Sequence, residues 1–335
     1  MGITDREERT GLRGPRGLLL QPRTEGYPVA YVLTRLRGRR SRLIREWKAL
    51  IYDNEPAEYL ASSRYDGFIR ERTADGIWAS LAREHRWVFT RSDEEVRSIL
   101  APYFLYAELR TIVIIIRSLS GGGGTQPGTI LENSLLNQEI QAALKRDDAA
   151  LVVKGLERNF SRWSAVFTGL SRIYGDGGIR ELERELVSRT FSAILSGDLH
   201  VLVRQLFRRI IDSRNIIALF KSLRLENGTL PVFTKGGIIA PERLRTIHDR
   251  GDLAAVATLV RQASGIAISD PDPTKVEVSL YRGITRFLRQ EGRDPLGIGV
   301  FVDYLWRCSL EVMNLSVVLA GKELEREAVV AEMVS

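Results

Sequence analysis

Three times along the chain, a long apolar helical stretch carries an acidic residue and, three positions later, a small polar one. The pairs are Glu108 and Thr111 in ELRTIVIIIRSL, Asp212 and Asn215 in DSRNIIALFKSL, and Glu311 and Asn314 in EVMNLSVVLAGK. They lie 104 and 99 positions apart. Positions i and i+3 share one helix face, so each pair presents its polar groups together. Asn is a poor residue for a helix interior, and one midway along an apolar helix needs a partner. The free NH and C=O groups at the end of a neighbouring helix are the expected partners; a polar site facing a central cavity is the alternative. A second match strengthens the repeat: RDDAALVVKGL (146–156) and RGDLAAVATLV (250–260) are again 104 positions apart. The pattern predicts one helical unit used three times, over residues 28–125, 126–230 and 231–335, after a mobile N-terminal extension at 1–27.

The periodicity between these pairs is helical throughout, and the predicted fold class is all-α. Val29, Val32, Leu36, Leu43, Trp47 and Leu50 place one helix before the Asp53–Pro56 breaker, with two shorter helices at about 57–71 and 75–88. Ser92 and Glu95 have capping-box spacing ahead of a long helix reaching Leu119, which contains Pro102 and is closed by Gly121–Gly124. Asn133 and Asp147 are candidate N-caps. Tyr174–Gly178 reads as a loop, Ile179–Leu195 as an amphipathic helix and Leu199–Leu225 as the second long helix. Ala240-Pro241 opens another helix. Further helices are expected at Lys275–Gln290 and Ile298–Ala320.

Chemistry is not visible in the sequence. His85, His200 and His248 are scattered with no Cys or carboxylate ligand pattern beside them, so no metal site is predicted. The glycine run lacks the Lys-Ser/Thr of a nucleotide loop and follows a helix. No cofactor and no catalytic residue are expected. Cys308 is the only cysteine, which excludes an intramolecular disulfide and points to a reducing, cytoplasmic setting. The apolar run Ile112–Ile116 is bracketed by Arg110 and Arg117 and reads as a buried helix segment, well short of the roughly 20 residues that span a bilayer. The net charge is +7, with 42 Arg and seven Lys. An acidic partner would suit that excess, and an Arg-rich helical nucleic-acid-binding protein is the alternative function. Acidic residues are interspersed with the Arg along the whole chain, so most of them form solvated faces.

Taken in order, the motifs resemble the C subunit of prokaryotic V/A-type rotary ATPases, the equivalent of the d subunit of the eukaryotic V-ATPase. Tyr31, Arg35, Arg37 and Ser41–Ile44 look like that family's first helix, and YLASSRY (Tyr59–Tyr65) like its following segment. DSRNIIALFKSL, the turn Gly236–Ile239 and YLWRCSLEVMNLSVVLAGK (Tyr304–Lys322) are similar to its later signatures. The resemblance implies three pseudo-three-fold-related helical bundles forming a funnel. It implies a non-catalytic part of the rotor at the cytoplasmic face of the membrane, one copy per complex, peripheral to the bilayer. Its implied partners are the central shaft and the proteolipid ring, in ATP-coupled H+ or Na+ transport, with no nucleic acid.

Overall fold

The computed structural model describes residues 14–52, 60, 65, 74–121, 127–225, 228–269, 271–321 and 325–334. The chain is all-α: among these residues there is no strand, only an isolated antiparallel bridge between Leu19 and Leu136. The helices are α1 (Val29–Arg40), α2 (Trp47–Tyr52), α3 (Ala74–Arg91), α4 (Glu94–Gly121), α5 (Pro127–Leu131), α6 (Gln138–Leu144) and α7 (Ala149–Trp163). They continue with α8 (Leu170–Ser196), α9 (Val201–Arg224), α10 (Pro241–Asp249), α11 (Leu253–Ser264), α12 (Pro273–Glu291), α13 (Gly299–Ala320) and α14 (Arg326–Ala331). The chain groups into two compact units, residues 1–28 with 85–203, and residues 29–84 with 204–335.

In the first unit, α7 packs on α4, α6 and α8. Val152, Val153, Leu156 and Phe160 of α7, Leu100, Phe104, Ile112 and Ile116 of α4, and Leu182, Leu186 and Phe191 of α8 are all buried, and the three helices pack on one another. By length and apolar composition α4 could also cross a bilayer. It carries a buried Arg97 and a buried Glu108, both bonded inside the unit, which is the arrangement of a core helix. Arg97 donates to the carbonyls of Phe89 and Thr90 at the end of α3, satisfying groups that a helix C-terminus leaves free. In the N-terminal segment, residues 14–20 are buried or half-buried, while Gln21, Arg23, Thr24, Glu25 and Tyr27 are exposed. Leu18 and Leu19 are buried, Leu20 N donates to Leu135 O at 2.7 Å, and Arg16 pairs with Glu94 at 3.1 Å. Residues 1–13 lie outside the described residues.

The second unit is built on α9, α11 and α12, whose Leu219, Phe220, Leu259, Val260, Val276 and Leu280 form a buried cluster with Phe233 and Ile239 of the 228–240 connector. The helix α13 packs on α12 and α1, with Phe301, Leu305 and Cys308 fully buried. The short α14 lies on α2.

Several local expectations shift. The helix expected through Leu50 is interrupted at 41–46, where the Ile44 NH is bonded outside any helix. Asp93, not Ser92, caps α4, accepting from Val96 N at 2.9 Å, while the Ser92 hydroxyl donates back to Val88 O. Asn137 caps α6, and Asp148 caps α7, in place of Asn133 and Asp147. The 174–178 loop is absorbed into α8, which bends at Gly178, where φ is +67° and only glycine is at ease. Asp53–Pro56, most of YLASSRY and Gly122–Gly124 fall outside the described residues.

Candidate functional site

Each of the three sequence pairs ends in a bonded joint, and in each the carboxylate holds the backbone of a connector just ahead of a helix start. Glu108, fully inside the first unit, accepts from Leu135 N at 2.6 Å and from the Ser134 hydroxyl at 2.8 Å. Leu135 lies three residues before α6. Asp212 accepts from Ile238 N and Ile239 N, both at 3.0 Å, immediately before α10. Glu311 accepts from Ile44 N at 2.6 Å, three residues before α2, and from the buried Tyr65 hydroxyl at 2.8 Å. All six carboxylate oxygens therefore have a donor. A buried carboxylate that accepts two hydrogen bonds recovers part of its lost hydration, and it leaves no backbone NH stranded.

The residue three positions on completes the joint. Asn215 bonds Thr234 twice, its amide donating to Thr234 O at 2.8 Å and its oxygen accepting from Thr234 N at 2.9 Å. Asn314 does the same to Val334, at 2.9 and 3.1 Å, so the described end of the chain takes the place that the connector holds beside Asn215. Thr111 has no such double bond; its hydroxyl supports Glu108 instead. The amide is needed where a connector strand is to be gripped at both NH and C=O, which a hydroxyl cannot do with that geometry.

Burial raises the Glu108 carboxyl above its ordinary value, against the lowering effect of the Leu135, Ser134 and Thr111 bonds. Burial raises Asp212 likewise, against the Ile239 and Ile238 amides. Gly237 makes the Asp212 joint possible: a Cβ there would sit 2.1 Å from Asp212 Oδ1. The glycine pair at 236–237 is thus the place where a carboxylate closes on a backbone.

Each pair's carboxylate is taken up by its own connector and is not left as a free acid. His85 packs edge-on against Tyr103 and Phe104, His200 Nδ1 accepts from Leu202 N, and His248 Nε2 lies 3.0 Å from the Ser222 hydroxyl. Among the described residues no group of three His, Cys, Asp or Glu is placed to hold a metal ion. Ile44 and the Gly236–Ile239 turn stand in the sequence motifs, but nothing in the sequence pairs them with Glu311 and Asp212, and Leu135 stands in no motif. The available signal was the interval: Glu108 to Leu135 and Asp212 to Ile239 both span 27 positions.

The joints recur in a chain whose residues 32–332 match one family model, that of the ATP synthase (C/AC39) subunit. The chain belongs to that family. The match runs through all three acidic pairs and both aspartate-capped repeat helices, and it begins within α1. A search of curated proteins returns no match. Family membership makes this chain part of a V/A-type ATPase, a component of an ATP synthase complex, and bears out the resemblance read from the Asp-x-x-Asn and Glu-x-x-Asn helices.

Proposed function

We propose that this member of the C/AC39 family is the non-catalytic coupling piece of the central rotor. In this reading it is a socket that takes the end of the central shaft and rests on the proteolipid ring, peripheral to the membrane at its cytoplasmic face, in ATP-coupled H+ or Na+ transport. The observation that carries the reading is the family match over residues 32–332. The joints support its three-fold organisation. The last long helix of the 28–125 stretch holds residues 134–135 of the next stretch, and that of 126–230 holds residues 238–239 of the next. The last long helix of 231–335 holds Ile44 of the first. Such a chain of grips suits a part that transmits torque, since each stretch is fastened to the one after it and the last returns to the first. The commitment of every carboxylate oxygen in the pairs to a structural bond also supports a role without catalysis.

The test is recovery of partners. Tagged chain purified from native membranes in mild detergent is expected to bring down shaft polypeptides and the proteolipid ring together. Recovery of neither from membranes that retain an intact, active complex overturns the proposal. The same purified chain is expected to show no salt-sensitive binding to DNA or RNA at low ionic strength.

A further inference from the structure

The loop between α12 and α13, residues 292–298, carries Leu296, which at 70% exposure is the most exposed large apolar side chain among the described residues. The loop is built rather than slack. Leu296 N donates to Asp294 Oδ1 at 3.1 Å, Gly297 N donates to Asp294 O at 3.3 Å, and Val300 N donates to Gly297 O at 3.2 Å. The Asp294 carboxylate is thereby turned into its own loop. From α1, Arg37 donates to Pro295 O at 2.8 Å, so a cation is anchored beside the leucine. One turn further along, Arg40 Nη2 lies 3.2 Å from Asp303 Oδ2, and Arg307 donates to Asp303 Oδ1 at 2.9 Å.

Asp303 is fully buried and is shared by these two guanidinium groups. Arg40 is held below its ordinary value by burial first and then by repulsion from Arg307, Arg289 and Arg45, against the pull of Asp303. Arg45, Arg289 and Arg293 are exposed. Against Arg37, Arg40, Arg45, Arg289, Arg293 and Arg307 stand the acids Glu46, Glu291, Asp294 and Asp303, of which Asp303 is buried between two of the guanidinium groups. A rigid apolar tip thus stands among cations in excess.

We propose that this loop and its arginines form a docking face for an anionic phospholipid bilayer, Leu296 entering the boundary between headgroups and acyl chains while the guanidinium groups hold lipid phosphates. An anionic plane with an apolar layer beneath it matches both halves of the face; a nucleic acid or a soluble acidic peptide has no use for the leucine. Each arginine near such a surface is worth about fivefold in partition, and burial of a leucine roughly tenfold or more. The resulting affinity is that of a peripheral contact. The inference goes beyond the coupling role, since a coupling piece can take shaft and ring without touching lipid, and either reading can fail alone.

Flotation of the isolated full chain with vesicles tests it. The chain is expected to float with phosphatidylcholine vesicles containing phosphatidylglycerol, to stay behind with phosphatidylcholine alone, and to be released by high salt. Arg289→Gln and Arg293→Gln are each expected to lower the partition about fivefold, and Leu296→Ser about tenfold. Arg158→Gln, at an exposed arginine of α7 in the other unit, should leave it unchanged. All these positions are exposed, and unchanged melting of the variants confirms that folding is intact. Absence of flotation with the anionic vesicles overturns the proposal. So does flotation indifferent to Leu296→Ser but blocked by soluble polyglutamate, which would assign the face to an acidic polypeptide.

Discussion

A carboxylate at full burial is an expensive way to hold a chain, and the three joints show what makes it workable. Each acid trades hydration for two donors, at least one of them a backbone NH that would otherwise be stranded at a cost of about 1–3 kcal/mol. The trade is incomplete at Glu108, where burial outweighs the bonds and holds the carboxyl above its ordinary value. The folded protein therefore keeps that proton to a higher pH than the unfolded chain does. Stability from this group is fully present below the unfolded carboxylate range and is lost as pH rises through the raised folded value. Glu108→Gln removes the titration while keeping the shape. The stability of the native protein relative to this variant is thus expected to be greatest at acid pH and to shrink toward neutrality. Urea titrations of both proteins from about pH 4 to about pH 8 measure the difference directly. A difference that is flat, or that grows with pH, would remove burial as the dominant influence on Glu108.

At the scale of the element, the repeat is most legible where a helix begins. The Asp148 carboxylate accepts from Leu151 N at 2.7 Å and opens α7; Asp252 accepts from Ala255 N at 2.9 Å and opens α11. The two aspartates are 104 positions apart, the offset already visible between RDDAALVVKGL and RGDLAAVATLV. Equal roles predict equal costs. Asp148→Ala and Asp252→Ala should each destabilise the protein by about 1 kcal/mol. Asp147→Ala, one residue outside the cap, should change stability by less than about 0.5 kcal/mol, within the usual range for a surface substitution. Thermal or urea melts of the three variants decide this, and a loss at Asp147 matching that at Asp148 would mean the cap is misassigned. Helix type and approximate extent could be read from sequence because apolar spacing records which face is buried. The positions of caps and breaks could not, because they depend on tertiary bonds. Asn133, Asp147 and Ser92 all have cap chemistry, yet Asn137, Asp148 and Asp93 have the NH groups in reach. The 41–46 interruption is similar: its apolar positions continue the stripe, but Glu311 holds the Ile44 NH from 267 residues away.

At the scale of the whole molecule, the same polar pair acts at very different sequence ranges. Glu108 and Asp212 each fasten a stretch that follows 26 or 27 positions later, whereas Glu311 fastens one near the other end of the chain. The pairs could be found in sequence because acids and amides stand out on apolar helices. Their partners could not, because a backbone NH has no residue-type signature. The difference in range gives the Glu311 joint a consequence the other two lack. In the first two, the intervening chain keeps the connector close even when the bonds are lost, so the loop-closure penalty is small. In the third, no short link returns Ile44 to α13, and the entropic cost of closure is correspondingly larger, although it grows only slowly with length. Glu311→Ala removes the acceptor of the Ile44 NH and one acceptor of the Tyr65 hydroxyl, and releases that closure. The variant is expected to keep its helical content by circular dichroism, since α13 retains its buried apolar face through Phe301, Leu305 and Leu315. Amide exchange should instead accelerate at Ile44 and along α1 and α2, while Leu135 and Ile239, held by the untouched Glu108 and Asp212, keep their protection. Hydrogen exchange resolved to single peptides reads all of these sites in one experiment. Uniform acceleration across the three connectors would mean the joints act as one cooperative network. Protection retained at Ile44 would mean that apolar packing of α1, through Val32, Leu33 and Leu36, closes the chain without the carboxylate.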